Sequence, residues 1–187
     1  AAAHPWAEVI GVDFSPEAIL LAREAAAAAG VANIRFVEAS FADLAERSNM
    51  LGAVDLSICH GVLSWVSAEN RVRIAEILRR TLRTGGLAHF GYNALPGWTP
   101  ALPLRRLVTA LARTRAGRDR AQAVADAHAA LSRLGEAGAG VMADNPALAQ
   151  WVTSLPELPP VYLAHEYLPE DATPLWHDDV AALLAPA

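Results

Sequence analysis

Four places in the chain set polar or small residues directly after short apolar runs: Asp13 after VIGV, Ser40 after IRFVEA, His60-Gly61 after VDLSIC, and Asn93 after LAHFGY. Where strands alternate with helices, the carboxyl ends of parallel strands line one cleft, and ligands bind there. Asp13 has the chemistry to accept from both vicinal hydroxyls of a ribose, and equally to polarise a turn. Ser40 could meet an adenine edge with Phe41 beside it, or it is a loop serine facing water. His60 suits a cleft wall or a base, and just as well a ring packed against the next helix. Cys59 reads as a small core residue, since no neighbouring base or helix N-terminus marks it as a nucleophile. Trp65 and Tyr92 fall near the same edge. His165-Glu166 and His177-Asp178-Asp179 raise the question of a metal, but their spacing matches no zinc pattern and no metal is expected.

The elements that position these groups follow from pattern. Val9, Ile10 and Val12 form a β-branched run expected to be a strand buried on both faces. Ser15-Pro16-Glu17 is a helix start, with a capping serine, proline in the first turn and an acid near the positive end of the dipole. Gly30 is the expected cap at the far end. The pattern predicts strands near 8–13, 33–38, 54–59 and 87–93, and a helix from Ala68 to about Arg83, capped by Ser67 and stopped by Gly85-Gly86. This implies an α/β fold with a parallel sheet and right-handed crossovers. Beyond Pro96-Gly97 the chain reads as mostly helical: 98–115, 119–134, a helix opened by Asn145-Pro146, and short helices at 161–168 and 178–184. Gly135 to Gly140 is an expected joint, and 155–160 a proline-rich connector.

Composition narrows the chemistry. The 187 residues are 53% hydrophobic, enough for a buried core. The net charge of −5 argues against a broad nucleic-acid surface, and the arginines at 113, 115, 118 and 120 read as a solvated face. The chain contains no lysine, which removes a Walker A loop and Schiff-base chemistry. One cysteine allows no internal disulfide and fits a cytoplasmic setting. No run is long and apolar enough to cross a bilayer.

The segments VIGVDFSPEAI, IRFVEASFADL, VDLSICHGVLSWV and LRTGGLAHFGYNALPGW, in that order, resemble class I S-adenosylmethionine-dependent methyltransferases. LPELPPVYLAHEYL and PLWHDDVAALL resemble the bacterial members that carry a methyltransferase regulatory domain after the core, and the rickettsial protein-lysine methyltransferases are similar in this arrangement. The resemblance implies a partial Rossmann-like sheet of four strands, S-adenosyl-L-methionine as cofactor, and a small-molecule or protein methyl acceptor. It places Asp13 at the ribose, Ser40 and Phe41 at the adenine, and Cys59, His60 and Gly61 beside the methionine portion and the acceptor. Ser40 stands where many relatives have Asp. The reaction implied is in-line alignment of an acceptor with a sulfonium methyl, and no general base is assigned. The implied division is a partial catalytic core over 1–95, a helical connector over 96–144, and the start of a regulatory domain over 145–187.

The family's glycine-rich first motif has no equivalent in these residues, so the chain is read as a fragment. The family's first strand would stand between the strands at 9–13 and 54–59. Without it, these two are expected to pair directly, since unpaired backbone groups in an interior are costly. Two other functions compete. A nicotinamide-dependent oxidoreductase would also use Asp13 on a ribose, but Gly-x-Gly-x-x-Gly is missing. A non-catalytic remnant would bind a partner through exposed apolar surface.

Overall fold

The computed structural model describes residues 1–114, 119–154, 159–169 and 171–185. Arg115, Arg118 and the first four residues of the expected connector at 155–160 lie outside the described residues. The chain divides into two compact units. The first holds residues 1–60, 67–90 and the end of the chain from Ala181; the second holds 61–66 and 91–180.

In the first unit, β1 (Val9–Asp13) runs into α1 (Pro16–Ala28). The Ser15 Oγ accepts the Ala18 N–H at 3.2 Å, and Pro16 occupies the first turn, as the sequence implies. Gly30 follows the helix at φ 65°, a left-handed conformation that favours glycine. β2 (Ile34–Glu38) pairs with β1 in parallel, Val9 opposite Ile34 and Asp13 opposite Glu38. The Asn33 side-chain amide donates to the carbonyls of Ala1, His4 and Ala7 at 3.3, 2.9 and 2.7 Å, which ties the first residues to the start of β2. α2 (Phe41–Glu46) and a 3-10 turn (Ser48–Met50) lead to β3 (Val54–His60). α3 (Ala68–Thr81), capped by Ser67, packs on α2 and leads into β4 (Leu82–Gly91).

Two expectations are corrected here. First, the four strands do not form one sheet. β1 pairs with β2 and β3 with β4, as separate two-stranded sheets, and β1 does not pair with β3. Gly86 lies against the Asp55 carbonyl and the His89 ring stacks on His60, so numbers ascend together along β3 and β4 and that pair is also parallel. Nor is β1 buried on both faces: Val9 and Ile10 are half-buried and Val12 is 39% exposed, while Ile58 on β3 and Leu87 on β4 are 67% and 70% exposed. The cost of unpaired backbone, which motivated direct pairing, is small where strand edges meet water. Second, β4 begins at Leu82 rather than near 87. Arg83 binds both carboxylate oxygens of Asp55 on β3, at 2.8 and 2.9 Å, which draws the chain into the ladder straight from α3. Gly85-Gly86 therefore lie within a strand. A Cβ on Gly86 would sit 2.9 Å from the Arg83 carbonyl and 3.0 Å from that of Asp55, so the second glycine serves close strand approach.

In the second unit, β5 (Ala94–Leu95) pairs in parallel with β6 (Leu175–Trp176). The rest is helical: α4 (Ala101–Arg113), α5 (Arg120–Glu136), α6 (Gly140–Ala143), α7 (Pro146–Ser154), α8 (Pro160–Tyr167) and α9 (His177–Leu184), whose last residues belong to the first unit. Leu104 and Val108 of α4, Val124 and Leu131 of α5, Leu148 of α7 and Leu163 of α8 meet in one buried core. Asn145 caps α7 by accepting the Leu148 N–H at 3.1 Å. Among the described residues, no helix is long and apolar enough to cross a membrane.

Candidate functional site

Asp13 closes β1 and is exposed. One carboxylate oxygen, Oδ1, accepts the Ser15 N–H at 2.9 Å, and no hydrogen bond to the other is formed among the described residues. The backbone N–H of Ala39 donates to the Asp13 carbonyl at 3.0 Å. That bond extends the β1–β2 ladder by one step and sets Ser40 and Phe41 at the same edge as Asp13.

Ser40 is the N-cap of α2. Its Oγ accepts the Asp43 N–H at 3.1 Å and donates to Asp43 Oδ2 at 2.6 Å, while its own N–H donates to the same oxygen at 3.0 Å. This is a complete capping box. The hydrogen bonds from the Ser40 side chain and backbone hold the Asp43 carboxyl below its ordinary range. The serine hydroxyl is thus already engaged as donor and acceptor. Phe41 is half-buried, packed with Ala39, Leu44 and Ile77.

Cys59 and His60 end β3. Cys59 is half-buried, and burial pushes its thiol up to about 11, so it is a neutral thiol at physiological pH. The exposed His60 ring stacks on His89 of β4, with centres 5.9 Å apart and planes 15° off parallel. Gly61 belongs to the second unit. It adopts φ 67°, and its N–H donates to the Gly91 carbonyl at 2.9 Å. Asp13, Ser40 and Phe41 thus share the β1–β2 edge, while Cys59 and His60 close β3, with Gly61 next in the chain.

The second unit holds a polar cluster that the sequence reading touched only in pieces. Ser64, 1% exposed, accepts the Asn93 N–H on its Oγ at 2.8 Å and the Thr173 N–H on its carbonyl at 2.8 Å. The Leu175 N–H donates to the Asn93 carbonyl at 2.9 Å. The Tyr92 hydroxyl lies 2.9 Å from Nδ1 of His177. The Glu166 carboxyl of α8 is raised above its ordinary range chiefly by burial, against the lowering influence of Asn93, His165 and Arg105. The Trp65 ring lies 6.3 Å from that of His165. The i, i+3, i+4 spacing of Tyr162, His165 and Glu166 was the available signal for one polar helix face. Nothing in the sequence marked Ser64. Among the described residues, no three His, Cys, Asp or Glu side chains cluster as metal ligands do.

Residues 1–86 match the family model described as a methyltransferase domain. An uncharacterized protein of Synechocystis, sll1526, is 32% identical over 197 aligned residues that take in all of this chain and 36% of that protein. An uncharacterized Rickettsia prowazekii protein, RP789, is 37% identical over 105 residues, covering 56% of this chain and 18% of that one. The chain thus spans well under half the length of these curated relatives. Among solved structures, PKMT2 from Rickettsia typhi aligns with a TM-score of 0.76 at 25% identity, over 98% of this chain and 34% of that one. The same protein in complex with AdoHcy aligns with a TM-score of 0.76 at 27% identity, over 94% and 33%. The two parallel strand pairs and the helical second half are thus those of a Rossmann-like methyltransferase fold. Residues 1–86 are thus similar to a methyltransferase domain, and the fold to that of PKMT2.

Proposed function

We propose that this chain is part of an enzyme that transfers a methyl group from S-adenosylmethionine to a protein side chain. The observation that carries the reading is the edge shared by Asp13, Ser40 and Phe41, one carboxylate oxygen of Asp13 being open to a ribose hydroxyl. The likeness to PKMT2, solved with AdoHcy, supports both the donor and a protein acceptor. In this reading 1–95 is part of the catalytic core, 96–144 a connector and 145–187 the start of a regulatory domain.

The bound donor supplies an electrophilic methyl on a sulfonium; the chain's own residues bind and orient. Asp13 holds the ribose, Phe41 flanks the adenine, and Cys59, His60 and Gly61 border the methionine portion and the acceptor. Ser40 acts mainly by fixing the start of α2, its hydroxyl being engaged with Asp43. The neutral Cys59 thiol has no part as a nucleophile. Asp13 and Phe41 address the adenosine end. The hydrogen bonds of one carboxylate to a ribose contribute about 1.5–3 kcal/mol, whereas micromolar affinity needs about 8 kcal/mol.

This 187-residue chain should therefore bind S-adenosylhomocysteine more weakly than micromolar and show no turnover. Placing a strand and glycine-rich turn of the family type ahead of Ala1 restores binding, and Asp13→Ala in that longer polypeptide weakens it about tenfold or more. Titration calorimetry tests both statements. Low-micromolar binding to the 187-residue chain, or indifference to Asp13→Ala in the longer form, overturns the site. A second reading is favoured by the exposed Leu56, Ile58 and Leu87: a non-catalytic piece that docks a partner through its strands. Light scattering separates the two, a clean monomer counting against the second.

A further inference from the structure

One face of α4 brings three arginines to a cleft of about 280 Å3 within the second unit. Arg105, Arg106 and Arg113 line it, and Leu102, Leu168 and Pro169 supply its apolar wall. Positions 102, 106, 109 and 113 are three or four residues apart, with 105 beside them, so they fall on one helical stripe. Among the described residues the lining holds no carboxylate, in a chain whose net charge is −5. Arg105 is held by carbonyls. Its guanidinium donates to those of Ala172 and Pro169, and its Nε is buried with no hydrogen-bond partner among the described residues. Two of its five N–H donors are thus engaged by groups that orient the cation without neutralising it. The Thr109 hydroxyl donates to the Tyr167 carbonyl at 2.9 Å, which ties α4 to the end of α8 and fixes the two walls of the cleft. The Glu166 charge reaches Arg105, but among the described residues neither Arg105 nor Arg106 forms an ion pair.

Three guanidinium groups on one small cleft repel one another until an anion lies among them. A carboxylate brings one charge on two oxygens and fills one guanidinium fork. A phosphate monoester brings nearly two charges and three terminal oxygens, so it accepts from several forks together. The cleft is slightly smaller than the roughly 300–1,000 Å3 of drug-sized sites, which suits a phosphate with a short carbon body. We propose that this cleft binds a small phosphomonoester, its phosphate held by Arg105, Arg106 and Arg113 and its carbon body laid against Leu102, Leu168 and Pro169. The site belongs wholly to the second unit, and the binding it predicts is independent of the methyl donor.

The test is an NMR titration of the 187-residue chain at constant ionic strength with phenyl phosphate, benzoate and inorganic phosphate, following the backbone amides of α4. Phenyl phosphate is expected to bind about tenfold more tightly than benzoate, which carries the same ring on a single carboxylate, as one further charge-assisted hydrogen bond would give. It is also expected to bind more tightly than inorganic phosphate, which has no carbon body. Arg106 is exposed, so Arg106→Gln leaves the core intact, and it weakens phenyl phosphate about tenfold by the same reckoning. Arg133→Gln removes the same charge from the exposed end of α5, outside the cleft, and leaves the affinity unchanged. Absence of binding at millimolar phenyl phosphate overturns the proposal, as does benzoate or inorganic phosphate binding equally well. Equal losses in Arg106→Gln and Arg133→Gln overturn it too, since they would reduce the effect to overall charge.

Discussion

Ser40 lies at the adenine position implied by family resemblance and also caps α2, and Ser40→Ala separates the two roles. The substitution deletes the Oγ that accepts the Asp43 N–H at 3.1 Å and donates to Asp43 Oδ2 at 2.6 Å. Loss of a serine N-cap costs about 1 kcal/mol, within a range of about 0.5–2. α2 has only six residues and one fully buried side chain, Leu44, so it has little other means of holding its first turn. Local opening should rise by a factor of about 5, the equivalent of 1 kcal/mol at room temperature. Hydrogen exchange reads this directly. The Leu44 N–H donates to the Ser40 carbonyl at 3.1 Å, and the Arg47 N–H to that of Asp43 at 2.8 Å. Both amides should exchange about fivefold faster in Ser40→Ala, while amides of α5 in the second unit stay unchanged. Ser40→Asp, which can still cap, should restore most of the protection. The box also carries a pH signature. The Asp43 carboxyl is lowered by its bonds to Ser40, so the stabilisation is present above the ordinary value of 3.8 and lost as pH falls through the lowered one. Exchange in α2 that is the same in Ser40→Ala as in the parent would refute the cap as the serine's main role and return its hydroxyl to ligand binding.

Other outcomes follow from the same geometry. Leu131→Ala, at a fully buried position of α5, should destabilise the second unit by about 2–5 kcal/mol, measured by denaturation followed through Trp65, Trp98 and Trp151. Gly86→Ala should loosen the β3–β4 pair by about 1–3 kcal/mol, because its methyl would press on two backbone carbonyls; the check is faster exchange at the Gly61 and Leu87 amides. Cys59 should react with iodoacetamide near pH 8 far more slowly than a cysteine in the unfolded chain. Since its folded value is raised to about 11 from 9.0, any stability it confers is full below about 9 and falls as pH rises from there towards 11, which denaturation at a series of pH values would show.

The elements were largely legible because their signals are local. Ser15-Pro16, Ser67 and Asn145 each cap the helix they were expected to open, and Gly30 ends α1 in the left-handed conformation. Asp13 and Ser40 were placed at strand ends, and the ladder sets them at one edge. What sequence did not show was pairing. Val9 to Val12 has the same composition whether a strand has one neighbour or two, so apolarity alone suggested a continuous buried sheet. The start of β4 was misjudged because Gly85-Gly86 signals a helix stop equally well as close strand approach. The Arg83–Asp55 contact that decides it spans 28 residues. The joining of Ser64 to Asn93 and Thr173 was illegible for the same reason, since it links three distant segments through single hydrogen bonds.

The one-sided pairing of β1 with β2 and of β3 with β4 has a consequence for handling the molecule. Among the described residues each of these strands pairs along one side alone, and Leu56, Ile58 and Leu87 put bare hydrocarbon on the adjoining faces. An unpaired edge is a template on which another copy's strand can assemble in trans. The chain's colloidal behaviour should therefore depend steeply on concentration: dispersed when dilute, and drawn into edge-to-edge ribbons as copies crowd together. A short peptide that occupies the open edge of β3 should act as a solubiliser.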